Sequence, residues 1–181
     1  MAFATTIPLL IRRSWIDNKP ESDTPMTDKR VLQIARICLR VCLSAGFLSA
    51  IADRFGLYGP SGTAGVSWGD WAHFLQFVAY LNSFMPKALI PTIGVVETVI
   101  EFTLAVALLV GVYQRIVAWA SAALLMSFAA TMSIALGIRA PLGYGVFTAV
   151  GGALLLGAVA SPRSTFFGEA HATASPATGG R

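Results

Sequence analysis

Two pairs of charged residues lie inside long apolar stretches of this sequence. Arg36 and Arg40 are four residues apart in the first stretch, and Glu97 and Glu101 are four residues apart in the second. Residues at this spacing share one face of a helix. A charge near the centre of a lipid bilayer costs about 3 to 10 kcal/mol or more unless it meets a partner or water. These four residues are therefore the first candidates for a polar site.

The depths of these charges predict which of them meet. At a rise of about 1.5 Å per residue, Arg40 and Glu101 lie about 13 and 16 Å from the same side of the membrane, so we expect an ion pair between them. Arg36, at about 7 Å, is close enough to the surface for its side chain to reach water. Glu97, at about 22 Å, has no arginine at its level. Two interpretations stay open, a stabilising ion pair or a polar pocket for a ligand, protons or a quinone.

Other residue types offer less chemistry. Cys38 and Cys42 are four residues apart in the first apolar stretch. Two cysteines four residues apart on a helix have poor geometry for a disulfide bond, and thiols in apolar surroundings are unreactive. His73 and His171 are the only histidines, so the sequence predicts no metal site. No catalytic residue is assigned, and whether the protein is an enzyme stays open.

The composition is typical of a membrane protein. Hydrophobic residues make up 55% of the 181 residues and charged residues only 12%, against about 25% in soluble domains. The net charge is +4, but the thirteen lysines and arginines are spread out in runs of at most two. This pattern argues against nucleic acid as a partner and makes the lipid bilayer the expected surroundings.

Four apolar segments approach the length of about 20 residues that a helix needs to cross a bilayer. The links between the last three are short, and short links make neighbouring helices antiparallel. The predicted fold class is an all-α membrane protein, a four-transmembrane-helix up-down bundle. The predicted spans are 31–52, 88–112, 116–137 and 142–160.

The first loop, residues 53–87, is long enough to hold structure of its own. Ser67 and Asp70 match a capping box, and apolar residues then recur at helical spacing from Trp71 to Met85, before Pro86. The sequence therefore predicts an extra amphipathic helix at the membrane surface, with a re-entrant hairpin as the alternative.

The two ends of the chain are polar. Residues 1–30 and 161–181 are predicted to be disordered tails, and residues 1–25 are alternatively a gene-model extension that precedes a true start at Met26. Eight lysines and arginines lie on the side of the termini and three on the side of the first loop. The excess predicts that both termini are cytoplasmic.

Several local motifs together resemble the DoxX family of bacterial membrane proteins over residues 30–160. They are Leu-Ser-Ala-Ile-Ala-Asp-Arg-Phe-Gly at the end of the first span, Val-Ser-Trp-Gly-Asp-Trp in the first loop, a glutamate followed by Leu-Leu-Val-Gly at the end of the second span, and Gly-Ile-Arg-Ala-Pro-Leu before the fourth. Gly143 departs from the resemblance, because members often carry an acidic residue there. The resemblance implies a multi-pass protein of the bacterial inner membrane that is linked to electron transfer.

The resemblance also selects site residues. It implies polar positions at Arg40, Glu97 and Glu101, which are candidates for a ligand or polar pocket. It further implies a structural outer motif that consists of four residues: Asp53, Arg54, Trp68 and Asp70.

The function that we predict is an accessory subunit of a quinone-linked redox or stress-response system. The alternative is a carrier for a small solute or protons, or a quinone-binding protein, that uses Glu97 and Glu101. The expected partners are the bilayer and a redox-enzyme subunit. Small residues recur every fourth position from Gly145 to Gly157, which favours close packing of another helix, with a second copy of the chain as the alternative. No cofactor is required, and a quinone is the one candidate.

Overall fold

The computed structural model describes residues 26–160, and every regular element in that range is helical. Most of both predicted tails, residues 1–25 and 161–181, lies outside the described residues, and so does the proposed gene-model extension. The helices are α1 (Met26–Arg54), α2 (Trp71–Leu81), α3 (Ile90–Val110), α4 (Gln114–Leu136), α5 (Arg139–Gly143) and α6 (Val146–Val159), with a 3₁₀ turn at Lys87–Leu89 before α3.

Three of these helical segments are long and apolar enough to cross a membrane, namely Asp28–Arg54, Lys87–Val110 and Gln114–Leu136. They coincide with the first three predicted spans, although α1 begins five residues before residue 31. The chain divides into two compact units, residues 1–35 and 36–181. Of the first, the structure describes the beginning of α1, and all contacts reported below lie within the second.

The fourth predicted span, residues 142–160, is not one helix. It is divided into α5 and α6, and α6 has 14 residues, or about 21 Å, against a hydrocarbon core of about 30 Å. Gly145 lies at the break with a φ of 67°, in the left-handed region that glycine adopts without strain. The described residues therefore contain three helices of spanning length, where the sequence predicted four.

Apolar side chains from four helices form one core. α1, α3, α4 and α6 all contribute, and small residues allow α4 and α6 to pack closely, since Ala118 and Ala153 are fully buried. A Cβ atom on Gly157 would lie 3.0 Å from Nε1 of Trp119. The core residues are Leu43, Phe47, Leu104, Ala105, Leu108, Val117, Ala118, Ala122, Ala153 and Leu156.

The predicted loop helix is present as α2, but its ends differ from the prediction. Asp70 is the N-cap, and its side chain accepts a hydrogen bond from the N–H of His73, so the predicted Ser67 capping box is wrong. The helix ends at Leu81 rather than Met85. Asn82 is its C-cap, and Nδ2 of Asn82 donates a hydrogen bond of 3.0 Å to the carbonyl of Val78. The buried face of α2 packs against α3.

Candidate functional site

The buried charges meet at Arg54, the last residue of α1. Its side chain is 2% exposed, and Nη1 lies 2.7 Å from Oε2 of Glu101. Nη2 lies 3.6 Å from Oε1 of Glu97, and Nη1 donates a hydrogen bond of 2.7 Å to Oγ1 of Thr98. We call these four residues, Arg54, Glu97, Thr98 and Glu101, the Arg54 cluster.

The predicted ion pair between Arg40 and Glu101 is wrong. Arg40 instead donates hydrogen bonds of 2.7 Å from Nε to the carbonyl of Leu108 and from Nη2 to the carbonyl of Leu109. These carbonyls belong to the last turn of α3, where a helix leaves its carbonyls without partners of its own. Arg40 therefore stabilises the end of α3 and lies outside the Arg54 cluster.

The register of α1 against α3 explains the error. Oγ of Ser44 donates a hydrogen bond of 2.9 Å to the carbonyl of Ala105 in the buried contact between these antiparallel helices. On that register residue 40 lies opposite residue 109, which is eight residues, or about 12 Å, from Glu101. Equal depths of residues 31 and 112 would put residue 40 opposite residue 103. Packing shifts α1 along α3, so that residue 40 lies opposite residue 109 instead.

Arg36 has a role like that of Arg40. Its side chain donates to the carbonyl of Val159, the last residue of α6. Two arginines one turn apart on α1 thus bind the C-terminal ends of two neighbouring helices, where the helix dipole favours a positive charge. The first charge pair of the sequence is therefore a pair of helix caps.

Asp53 ties the first loop to the end of α1. Its carboxylate is 5% exposed and accepts three backbone N–H groups, from Ser67 and Trp68 at 2.9 and 3.1 Å and from Gly69 at 3.3 Å. We call residues 55–86, which comprise this loop, α2 and the residues between α2 and the 3₁₀ turn, the cap. Asp53 fixes the loop of the cap to α1.

Arg54 ties the cap to α3. Its guanidinium carbon lies 4.0 Å from the ring centre of Phe74 and 5.4 Å from that of Trp68, which are cation–π distances. The same group contacts Glu101 of α3, so one cation connects aromatic rings of the cap with a carboxylate of the helical core. Gly69 makes this arrangement possible, since its φ is +73° and a Cβ atom there would lie 2.6 Å from the carbonyl carbon of Pro60.

Three of the four predicted outer-motif residues thus come together, and the fourth acts separately. Asp70 is 51% exposed, and Oδ2 lies 2.8 Å from Nδ1 of His73. The backbone N–H of His73, helped by its side chain, holds the pKa of Asp70 below its usual range. The role of Asp70 is to begin α2, while Asp53, Arg54 and Trp68 hold the cap in place.

The Arg54 cluster contains two carboxyl groups and a single guanidinium. Glu101 is 2% exposed, whereas Glu97 is 19% exposed. Within residues 26–160, Nε of Arg54 and Oε2 of Glu101 are buried without a hydrogen-bond partner. With both carboxyls ionised the arrangement has one negative charge in excess, so it can accept one further positive charge.

Other chemistry is limited in the described part of the chain. It contains no group of three or more His, Cys, Asp and Glu residues that could hold a metal ion. Cys38 and Cys42 are free thiols on the exposed side of α1. The site that the structure assembles is therefore the Arg54 cluster beneath the cap.

Arg54 was not predicted as the partner of the glutamates, because its position after residue 52 places it outside the first predicted span. A signal was present. Glu97 lies in the half of α3 that begins near Lys87, Glu101 lies at the middle of α3, and Arg54 ends the neighbouring span at the side of Lys87. The long side chain of an arginine can extend along the helix and bring its charge to a polar partner away from its own Cα atom.

Three apolar helices of spanning length, joined partly through a cap with buried charges, define a multi-pass integral membrane protein. The family model described as methylamine utilisation protein MauE matches residues 32–143, and the chain belongs to this family. The match includes α1 from residue 32 onward, the cap and the whole Arg54 cluster. It corrects the assignment to the DoxX family, whose quoted motifs lie largely in this same region. Neither a curated protein nor a solved structure matches the chain.

Proposed function

We propose that the protein is an accessory subunit of a methylamine-utilisation system in the bacterial inner membrane. The description of its family supports the system. Methylamine becomes formaldehyde and ammonia only when two electrons and two protons are removed and water is added, so such a system needs a redox enzyme. That enzyme is the partner that we propose. We assign no cofactor to this chain. The alternative is a bound quinone, which a measurement of quinone binding to the purified protein would detect.

The cap carries this proposal, because it is held firmly and its surface is unusually apolar. Residues 55–86 contain no lysine or arginine and one acid, Asp70. Leu57 and Phe84 are 72% and 70% exposed. Exposed apolar surface on an ordered segment is typical of a site that contacts a protein or the membrane. The clamp formed by Asp53 and Arg54 keeps that surface in a defined position.

We propose four membrane crossings, with α5 and α6 together forming the fourth. Residues 139–159 then supply about the length that α6 alone lacks. Both termini are cytoplasmic and the cap faces outward. Burial of Arg54 supports this orientation, because it leaves only Lys87 and Arg139 as basic residues on the outer surface.

Deletion of the gene tests the proposal. An accessory subunit is needed by the enzyme itself, so we expect the deletion strain to lose methylamine consumption in intact cells and also in cell extracts. Growth on ammonium should be unchanged, and the wild-type gene should restore both activities. Extracts of the deletion strain that consume methylamine normally would contradict the accessory role.

The second candidate is a carrier for protons or a small solute that uses Glu97 and Glu101. The observation that favours it is the partial exposure of Glu97 beside a guanidinium that two carboxyls share. A carrier of methylammonium predicts the opposite pattern, with consumption lost in intact cells and retained in extracts. A homo-oligomer stays a prediction, which native mass spectrometry of the purified protein checks.

A further inference from the structure

We infer that the Arg54 cluster binds one exchangeable proton, which Glu97 and Glu101 share. The inference does not depend on whether the protein acts as an accessory subunit or as a carrier. It concerns a binding site in the chain itself, and its ligand is a single positive charge.

The first step is the balance of charge. α1 contributes Arg54, α3 contributes Glu97 and Glu101, and the charged groups that act on Glu101 are Arg54 and Glu97. The cap contributes aromatic rings, and Asp53 is directed at the N–H groups of the loop. α6 contains no charged residue, and the one charge of α4, Arg115, lies at its far end. With both glutamates ionised, one negative charge would stay uncompensated where it is poorly solvated.

The second step is the set of hydrogen bonds. Oε2 of Glu101 lies 2.7 Å from Nη1 of Arg54 without forming a hydrogen bond, and it is buried. Thr98 cannot supply a donor, because its hydroxyl already donates to the carbonyl of Gly94. A proton on Glu97 supplies a hydrogen-bond donor for Oε2 of Glu101, which no donor of the described residues bonds, Nε of Arg54 included. The two carboxyls can share this proton, since residues four apart on a helix are neighbours.

The third step is access. Glu97 is 19% exposed and Glu101 is 2% exposed, so a proton that enters from outside the cluster meets Glu97 first. Glu101 lies closer to Arg54, at 2.7 Å against 3.6 Å. Glu97 is therefore the exchanging group, and Glu101 is the group that keeps Arg54 paired.

Infrared spectroscopy of the full chain in lipid nanodiscs tests this inference, because a protonated carboxyl has a C=O stretch that an ionised one lacks. We expect the wild-type protein at neutral pH to show this band with the intensity of one carboxyl per chain, shifted in heavy water. Glu97→Gln and Glu101→Gln should each abolish the whole band, since the remaining glutamate then pairs with Arg54. Asp70→Asn, at an exposed acid outside the cluster, is the matched control and should leave the band unchanged.

Three results would overturn the inference. The first is a wild-type protein without the band. The second is a band that persists in Glu97→Gln, which suffices even if Glu101→Gln does not fold. The third is a band that disappears when sodium or methylammonium replaces the bulky cation N-methylglucamine at constant pH, because the cluster would then bind a small cation in place of the proton.

Discussion

Replacement of Arg54 by methionine should be among the most damaging single substitutions in the helical core. It leaves Glu97 and Glu101 without their cation, and it removes the hydrogen bond to Thr98 and the contacts with Phe74 and Trp68. Removing one partner of a buried ion pair costs about 3–5 kcal/mol. We therefore expect the free energy of unfolding of Arg54→Met to fall by about that amount.

A double-mutant cycle isolates the ion pair from the other contacts. Glu101→Leu alone should cost less than Arg54→Met, because Arg54 keeps Glu97 within 3.6 Å. Residues in direct contact couple by about 0.5–3 kcal/mol, and we expect the Arg54–Glu101 pair near the upper end of that range. The double variant should thus be clearly more stable than the two single losses predict.

Arg40 provides the control for this cycle. It lies about 12 Å along the helix from the level of Glu101, so Arg40→Met and Glu101→Leu should be additive within about 0.5 kcal/mol. Reversible unfolding in mixed micelles, followed by circular dichroism, measures all five variants against the wild type. A coupling of Glu101 with Arg40 that exceeds its coupling with Arg54 would refute the register described above.

Three further substitutions test how the cap is attached to α1 and how its helix α2 begins. Asp53→Ala should speed amide hydrogen exchange at residues 67–69 by at least tenfold while the amides of α4 keep their rates, because those three N–H groups lose their acceptor. Gly69→Ala should lower the thermal stability, since a Cβ atom would collide with the chain near Pro60, and unchanged stability would show that the loop adapts. Because the pKa of Asp70 is lowered in the folded protein, its capping of α2 is complete above the ordinary aspartate pKa and is lost as the pH falls through the lowered value. Amide hydrogen exchange at His73 should therefore be faster at acid pH in the wild type than in the Asp70→Asn variant. Equal pH profiles of exchange in the two proteins would contradict this.

Hydropathy and helical spacing were sufficient to predict the elements themselves. Three of the spans and the presence of α2 agree with the structure. These features depend on local composition, which a single sequence records directly.

The axial offset between helices could not be predicted in this way. Hydropathy marks which residues lie in the membrane, but the offset of α1 against α3 depends on side-chain packing such as the contact of Ser44 with Ala105. An error of six residues in this offset gave Glu101 the wrong arginine. The break at Gly145 was equally hidden, because the apolar pattern continues across residues 142–160 while the backbone changes direction.

The family assignment failed for a related reason. The motifs quoted for the DoxX family mark the ends of apolar helices and a Trp-rich loop, and these features occur here in a chain of the MauE family. In the structure these motifs have a structural role, because Asp53 and Arg54 of α1 bind Trp68 and so attach the cap to α1.

The most direct test of the proposed role compares exposed apolar residues on and off the cap. Leu57 and Phe84 lie on the cap at 72% and 70% exposure, and Ile116 lies at the beginning of α4 at 68% exposure. The measurement is methylamine consumption by extracts of the deletion strain that carries either the double variant Leu57→Ser/Phe84→Ser or the control Ile116→Ser, at equal amounts of membrane protein. The accessory role predicts that the cap variant loses this activity and the control retains it. Full activity with the cap variant, or the same loss with both, would contradict it.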